Sequence, residues 1–299
     1  HVGNKNKDME SIFHYTNERN VQIVIALLKA HGIHRVIASP GTTNMTFVGS
    51  IQNDPWFTIW SSVDERSAAY MACGMAAETG EPVVLSCTGA TASRNYMPGL
   101  TEAYYRKFPV LAITSHRGES SIGHLKDQQI DRRTIPNDIA NLSVTIPLVH
   151  TNDDEKYCVI EANKAMLELS HRGGGPVHIN LYTNYSKDFS VEELKPVRVI
   201  NRYTLDDELP ELKNEQKIAI FVGSHKVFSC RDQEAIEKFC EKYNAIVLTD
   251  KTSGYYGKYK ISNSLINAQK FERLIDQSFD VVIHIGEVTG DTYGAPRQV

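Results

Sequence analysis

Apolar residues along this chain alternate between helical spacing and short continuous runs. Val21, Val24, Leu27 and Leu28 have the spacing of an amphipathic helix, and the apolar run at 35–39 predicts a buried strand. The alternation continues and predicts strands at 57–63, 82–86, 109–114 and 177–181, with helices over 65–78, 93–107 and 153–171. Buried strands that alternate with helices predict an α/β fold of three layers, a parallel sheet with helices on both faces.

A charged segment interrupts this alternation. Residues 186–215 contain Pro196 and Pro210 and predict a linker. Beyond it, the pattern predicts strands at 217–221, 245–249 and 280–285 and helices at 231–243 and 268–276, which form a second, smaller Rossmann-like α/β domain. The expected organisation is a leader or tag remnant at 1–10, a first domain over 11–185, the linker at 186–215, and a second domain over 216–299 with a Gly-rich polar tail.

Composition and charge narrow the class of protein. The 299 residues carry 32 Lys and Arg side chains against 36 Asp and Glu, a net charge of −4, whereas nucleic-acid and membrane-surface partners normally need a basic surface. No apolar run reaches the ~18 residues that cross a bilayer. The five cysteines have the spacing of neither a metal site nor a disulfide framework. We therefore expect a cytoplasmic protein with no nucleic-acid or membrane partner.

Four loops follow predicted strands, and α/β proteins bind ligands at the carboxyl ends of parallel strands. These loops, at 39–44, 64–67, 87–91 and 115–119, are rich in small or hydroxylated residues that let a ligand reach backbone N–H groups. None matches the phosphate-binding patterns GxxxxGK[ST] or GxGxxG. Asp64 and Glu65 are also the acidic residues that any helix start favours. Taken singly, each loop is better explained as an ordinary turn.

A longer stretch of sequence changes this interpretation. Residues 62–76 read SVDERSAAYMACGMA, 79–88 read TGEPVVLSCT and 95–103 read NYMPGLTEA. With the Ser-Pro-Gly at 39–41, they resemble the pyrimidine-binding domain of thiamine-diphosphate-dependent enzymes. The similarity covers about 17–181 and, more faintly, the second unit, which resembles the central domain of that family. It is greatest to the menaquinone-pathway (SEPHCHC) synthases, and extends more broadly to acetolactate synthases and 2-oxo-acid decarboxylases.

The resemblance implies a thiamine-diphosphate site at these loops. Glu65 is the implied catalytic residue, because a carboxyl group must exchange a proton with N1′ of the pyrimidine before the cofactor's own 4′-imino nitrogen can take the proton from C2. With Glu65, the residues implied to bind the cofactor are Pro40, Gly41, Thr88, Gly89 and Asn95. The residues implied to face the substrate are Thr42, Thr43, Arg117 and Gln128.

Two departures from the family bear on function. Menaquinone-pathway synthases carry an arginine where this chain has Thr43, so we expect a different substrate, and residues 117–119 are similar to phosphonopyruvate-type decarboxylases. Family members also bind the diphosphate and Mg²⁺ through a Gly-Asp-Gly motif in a third domain. That motif does not occur here, and the Gly-Asp-Thr at 290–292 lies at the wrong end of the chain. The sequence therefore predicts the first two domains of a three-domain enzyme, with no metal ligand of its own.

We expect the N-terminal part of a thiamine-diphosphate-dependent transferase or lyase that acts on a 2-oxo acid, by decarboxylation with or without carboligation. Two alternatives stay open: a non-catalytic regulatory or assembly subunit with the same fold, and a phosphonopyruvate-type decarboxylase subunit. The resemblance also implies a homodimer or larger assembly, for which the small residues at 68–77, with Gly74, suit close helix packing. A separate chain with the diphosphate-binding domain is a further expected partner.

Overall fold

The computed structural model describes residues 14–262 and 279–289, which divide into two units between Arg202 and Tyr203. The predicted leader at 1–10, the predicted helix at 268–276 and the Gly-Asp-Thr and tail at 290–299 lie outside the described residues. Within 14–262 and 279–289, no helix is both long enough and apolar enough to cross a membrane.

A parallel sheet forms the centre of the first unit. Its strands are β1 (Arg35–Ala38), β2 (Thr58–Ser61), β3 (Val83–Thr88), β4 (Val110–His116), β5 (Leu142–Ile146) and β6 (Val177–Tyr182). They lie in the order β2-β1-β3-β4-β6-β5, and every neighbouring pair is parallel. The carboxyl ends of β1, β3 and β4 are therefore adjacent, which brings the candidate loops to one edge of the sheet.

Helices cover both faces of this sheet. They are α1 (Arg19–Ala30), α2 (Met45–Ile51), α3 (Glu65–Thr79), α4 (Thr91–Asn95), α5 (Met97–Arg106) and α6 (Asn152–Glu168). Side chains of α1, α2 and α6 form one buried cluster with Val84, and side chains of α3 and α5 form another with Leu85. Successive strand residues point to opposite faces, so Val84 and Leu85 serve different layers. The three-layer parallel α/β architecture is confirmed.

Local chemistry explains where the elements differ from the prediction. The single helix expected at 93–107 is two helices, α4 and α5, that meet at Tyr96, because Pro98 has no N–H to donate to the carbonyl group of Arg94. The helix α2 and the strand β5 were not predicted. The stretch 117–141 is irregular apart from a 3-10 turn at Glu119–Ser121.

The segment after β6 packs along the first unit as far as the division at Arg202. Tyr15 and Val191 form an antiparallel bridge, and Val191 packs against the core. Asn163 of α6 accepts a hydrogen bond from the backbone N–H of Ile200 and donates one to the carbonyl oxygen of Arg198. The first part of the segment expected as a linker at 186–215 is thus attached to the first unit.

The second unit has a smaller parallel sheet. Its elements are β7 (Ile218–Val222), α7 (Cys230–Tyr243), β8 (Ile246–Thr249), β9 (Lys260–Ile261) and β10 (Val281–Ile285), and the strands lie in the order β10-β7-β8-β9. Ser229 caps α7 by accepting a hydrogen bond from the backbone N–H of Asp232. Ile236 and Cys240 of this helix pack in one cluster with Ile218 and Ile220. This unit is a second parallel α/β fold.

Candidate functional site

Asn44 holds the loop after β1 against the end of β3. Its side-chain oxygen accepts a hydrogen bond from the N–H of Gly41 at 2.9 Å, and its amide donates to the carbonyl oxygen of Ser39 and the hydroxyl of Ser86. The backbone of Gly41 lies so close to Thr88 that any Cβ atom would overlap the Thr88 methyl group. The structure therefore brings Gly41 and Thr88 together. Sequence reasoning missed Asn44, which is fully buried.

Asp64 and Glu65 have different roles at the start of α3. Asp64 is the N-cap residue, and its carboxylate accepts hydrogen bonds from the Ser67 hydroxyl at 2.6 Å and the Ser67 N–H at 2.8 Å. These two bonds lower the pKa of the exposed Asp64 carboxyl below its ordinary value. Because Asp64 provides the cap, the Glu65 side chain is not required for it.

Glu65 meets a side chain from the next loop of the site. Its Oε2 accepts a hydrogen bond from Nδ2 of Asn95, the last residue of α4, at 3.1 Å. The carboxyl group is partly exposed in this single chain. No Lys or Arg of the residues that the structure describes forms an ion pair with it. A carboxylate with one amide donor and no counter-charge can accept a further hydrogen bond or a proton.

Buried hydroxyl groups and a thiol lie next to these loops. Burial, followed by the neighbouring Cys87 thiol, raises the pKa of Tyr96 well above its usual value, and burial raises the pKa of Cys87 to about 12. Cys87 is therefore a protonated packing residue. The hydroxyls of Ser39 and Tyr96 are near each other, yet within the described ranges neither has a partner at normal hydrogen-bond geometry. Unpaired buried hydroxyls require an explanation.

Gly89 lies against the end of β4 rather than against Gly41. Its N–H donates to the carbonyl oxygen of Ser115 at 2.7 Å. An added Cβ would come within 2.8 Å of that oxygen and within 2.7 Å of both His116 and Arg132. Glycine is thus the residue that this close approach permits.

The four residues expected to face the substrate have unlike surroundings. Thr42 and Gln128 are exposed, whereas Thr43 is buried and its hydroxyl has no hydrogen bond to any described residue. Arg117 forms an ion pair with Asp127 at 3.2 Å. No contact between the described atoms joins these four into one pocket.

Gln129, next to Gln128, reaches the end of β4. Its amide donates to the carbonyl oxygen of Gly118 at 2.9 Å. Sequence reasoning also missed Arg132, which lies beside the same strand end. The sequence signal for a polar site here was the pair His178 and Asn180, which alternate with the apolar residues of β6. In the described part of the chain, no group of three or more His, Cys, Asp and Glu side chains is placed to hold a metal ion.

Comparison with known proteins matches this part of the chain to a protein family. Residues 19–135 match the family described as "Thiamine pyrophosphate enzyme, N-terminal TPP binding domain". Over these residues the chain is similar to the N-terminal domain of thiamine pyrophosphate enzymes. The match includes the Gly41, Glu65, Thr88 and Asn95 loops and ends before β5, and the resemblance inferred from the sequence is confirmed.

Three curated relatives of the chain share the name 2-succinyl-5-enolpyruvyl-6-hydroxy-3-cyclohexene-1-carboxylate (SEPHCHC) synthase. The protein of Bacteroides thetaiotaomicron is 37% identical over 218 residues, which is 70% of this chain and 39% of the relative. The protein of Bacteroides fragilis is 38% identical over 190 residues, 63% of this chain and 34% of the relative. The protein of Flavobacterium johnsoniae is 30% identical over 250 residues, 79% of this chain and 43% of the relative. The chain thus matches less than half the length of these relatives.

Proposed function

We propose that this chain is the N-terminal part of a thiamine-diphosphate-dependent transferase or lyase that decarboxylates a 2-oxo acid, with or without addition to an acceptor. The observation that supports this most is the pair Glu65 and Asn95. The Glu65 carboxylate, which has no Lys or Arg partner in the described part of the chain, stands at a helix start at the carboxyl edge of a parallel sheet, within residues that match the thiamine pyrophosphate enzyme family. The names of the relatives support a SEPHCHC synthase-like reaction, while Thr43 argues for a different substrate.

The residues around this edge fit a planar heterocycle. Gly41 has no side chain of its own, and the Thr88 methyl group that packs against it offers an apolar contact. In this proposal Pro40, Gly41, Thr88, Gly89 and Asn95 bind the pyrimidine with Glu65. The diphosphate and Mg²⁺ would be held by a further domain, in the same chain or in a partner.

Glu65 would hold the proton that the reaction needs. Bound thiamine diphosphate supplies an acidic C2–H and, after its loss, a carbon nucleophile for the 2-oxo group. Glu65 would donate a proton to pyrimidine N1′ and take it back, while Asn95 holds the carboxyl in position through its amide. The partly exposed carboxyl would be enclosed by a second copy of the chain in a homodimer, which removes the competing water.

The test uses the enzyme with its diphosphate-binding domain present, in one chain or as two. Release of CO₂ from 2-oxoglutarate, pyruvate and phosphonopyruvate is measured with thiamine diphosphate and Mg²⁺. We expect cofactor-dependent release from at least one of the three, and a loss of about 10²–10⁴-fold in Glu65→Gln. Asp64→Asn is the matched control, because asparagine is an equally good cap. No release from any of them, or full activity in Glu65→Gln, would refute the proposal.

A further inference from the structure

A partly buried arginine beside the first sheet, Arg132, has no acidic partner among the described residues. Nη1 of Arg132 donates to the Thr114 hydroxyl of β4 at 2.7 Å, and Nη2 donates to Oδ1 of Asn180 of β6 at 2.6 Å. Burial lowers the pKa of this guanidinium to about 10, so it is charged at neutral pH. No carboxylate of the described residues forms an ion pair with it. A guanidinium has five N–H donors, and these two bonds leave three of them for another partner.

The histidines that surround Arg132 do not carry positive charge at neutral pH. Burial, and then the charge of Arg132, lower the pKa of His116 to about 4 and that of His178 to about 3. His116 Nδ1 accepts the N–H of Gly118 at 2.8 Å, which leaves its Nε2 to carry the proton. Both ring nitrogens of His178 have hydrogen-bond partners: Nε2 lies 2.8 Å from the Thr114 hydroxyl and Nδ1 lies 2.7 Å from the Ser143 hydroxyl. Arg132 is thus a cation among neutral polar groups.

These groups form one end of a pocket of about 160 Å³. Since a guanidinium only donates hydrogen bonds, the oxygen of Asn180 faces Arg132, and the Asn180 NH₂ is turned the other way. The remaining walls include the apolar side chains of Ile122, Ile130 and Ile135. The pocket therefore combines an unpaired cation with a hydrocarbon wall.

The acidic and basic residues at the mouth do not neutralise Arg132. The exposed Arg133 forms its own ion pair with Asp131 at 2.6 Å. Glu119, exposed and also part of the lining, interacts with the hydroxyl of Tyr182. Because exposed residues contribute to its lining, the pocket is open to solvent.

We propose that this pocket binds a small carboxylate with a short hydrocarbon part, with the carboxylate on Arg132 and the hydrocarbon on the three isoleucines. An arginine fork matches a planar carboxylate through paired N–H···O bonds. Arg132 is not among the residues proposed to bind the cofactor or the 2-oxo acid, so the site does not rest on the proposed function. Arg132 lies beside Gly89, one of the residues proposed to bind the pyrimidine, but binding of the carboxylate needs no cofactor.

Binding of butyrate to the chain without cofactor tests this proposal. Saturation-transfer NMR and calorimetry are expected to show butyrate binding and at least tenfold weaker binding of butyramide, which has the same shape without the charge. Arg132→Met should weaken butyrate binding about tenfold or more, and Arg132→Lys should lie between the two. Arg133→Met, which removes an exposed arginine already paired with Asp131, should change the affinity less than twofold.

A second variant covers the case in which Arg132→Met does not fold. Ile130→Phe leaves Arg132 and its two bonds in place but fills the pocket from its apolar wall, so butyrate binding should be lost. Glu65→Gln should bind butyrate normally, which separates this site from the proposed catalytic one. No butyrate binding at tens of millimolar, equal binding of butyramide, unchanged binding in both Arg132→Met and Ile130→Phe, or Arg132-dependent binding of inorganic phosphate instead of butyrate would overturn the proposal.

Discussion

Because Gly41 has no side chain, the loop after β1 can pack directly against β3. A Cβ atom at this position would overlap the Thr88 methyl group, whereas a Cβ at Gly74 of α3 has no neighbour within 4 Å. We predict that Gly41→Ala destabilises the fold by about 1–3 kcal/mol through this clash. Thr88→Ser removes the methyl group and should restore part of the stability in the double variant, measured as a coupling energy by urea unfolding.

Gly74→Ala is the control for that experiment. Alanine is favoured over glycine inside a helix, so in the Met71→Arg background, where the predicted dimer contact of this face is lost, this variant should be as stable as its parent or up to about 1 kcal/mol more stable. Strictly additive effects of Gly41→Ala and Thr88→Ser would show that the two residues are not in contact.

His178 makes stability depend on pH. Its folded pKa of about 3 lies below the value of about 6.5 in an unfolded chain, so below pH 6.5 only the unfolded state takes up the proton. The stability that comes from the neutral ring is complete above pH 6.5 and falls as the pH drops toward 3. Between pH 7 and pH 5 this loss amounts to about 2 kcal/mol.

Urea unfolding of His178→Gln at both pH values tests this prediction. Between pH 7 and pH 5, the free energy of unfolding of the variant should fall by about 2 kcal/mol less than that of the parent protein, whatever the variant's stability at pH 7. His124→Gln, at an exposed position, should show the same dependence of stability on pH as the parent protein. A parent-like pH dependence in His178→Gln would mean that the ring is protonated in the folded state.

At the scale of elements, a buried carboxylate attaches the segment after β6 to the start of α1. Glu18 accepts hydrogen bonds from the Thr183 hydroxyl at 3.1 Å, the Ser186 N–H at 2.9 Å and the Asn184 N–H. Glu18→Ala should cost about 1–3 kcal/mol, because these buried donors lose their acceptor. Hydrogen exchange should rise at 183–191, while Glu192→Ala, an exposed site, should change neither quantity. Unchanged exchange at 183–191 would contradict this role.

The periodicity of apolar residues predicted the long helices and strands, but it missed the elements whose formation depends on tertiary contacts. The helix α3 could be placed from its acidic start and its small apolar residues, since both signals are local. The seven-residue α2 lacks a side-chain cap and is stabilised by Phe47 and Ile51 in the core, which a local pattern does not show. The strand β5 is held by pairing with β6, a contact between residues 35 positions apart.

The candidate site could be predicted in part. Glu65 and Asn95 were found through motif resemblance, and the structure joins them by a hydrogen bond. Asn44 and Arg132 were missed, because their importance arises only when separate strands place Ser86 or Asn180 beside them. The role of such a polar side chain depends on its hydrogen-bond partners, and these partners cannot be predicted from its position in the sequence.

At the scale of the whole molecule, α3 presents one face to its own sheet and leaves another open. Ala68 and Ala72 are buried, whereas Tyr70, Met71 and Gly74 are exposed along the same helix. We predict that this face joins two copies in a homodimer. Sedimentation at tens of micromolar should show a dimer that Met71→Arg shifts toward monomer.

Ile160→Arg is the matched control for the dimer prediction. Ile160 is exposed on α6 to a similar extent, 47% against 41% for Met71. A charge there should leave the sedimentation unchanged. A monomeric parent protein, or equal effects of the two arginine variants, would contradict the proposed interface.

The most direct test of the central claim measures proton loss at C2 of bound thiamine diphosphate, in the enzyme that contains the diphosphate-binding domain. NMR detection of C2–H/D exchange needs no knowledge of the substrate. Glu65→Gln keeps the shape and the contact to Asn95 but cannot pass a proton to N1′, so exchange should slow by about 10²–10⁴-fold, while Asp64→Asn exchanges at close to the parent rate. Exchange in Glu65→Gln as fast as in the parent enzyme would contradict the account, because Glu65 would then be only the first residue of a helix.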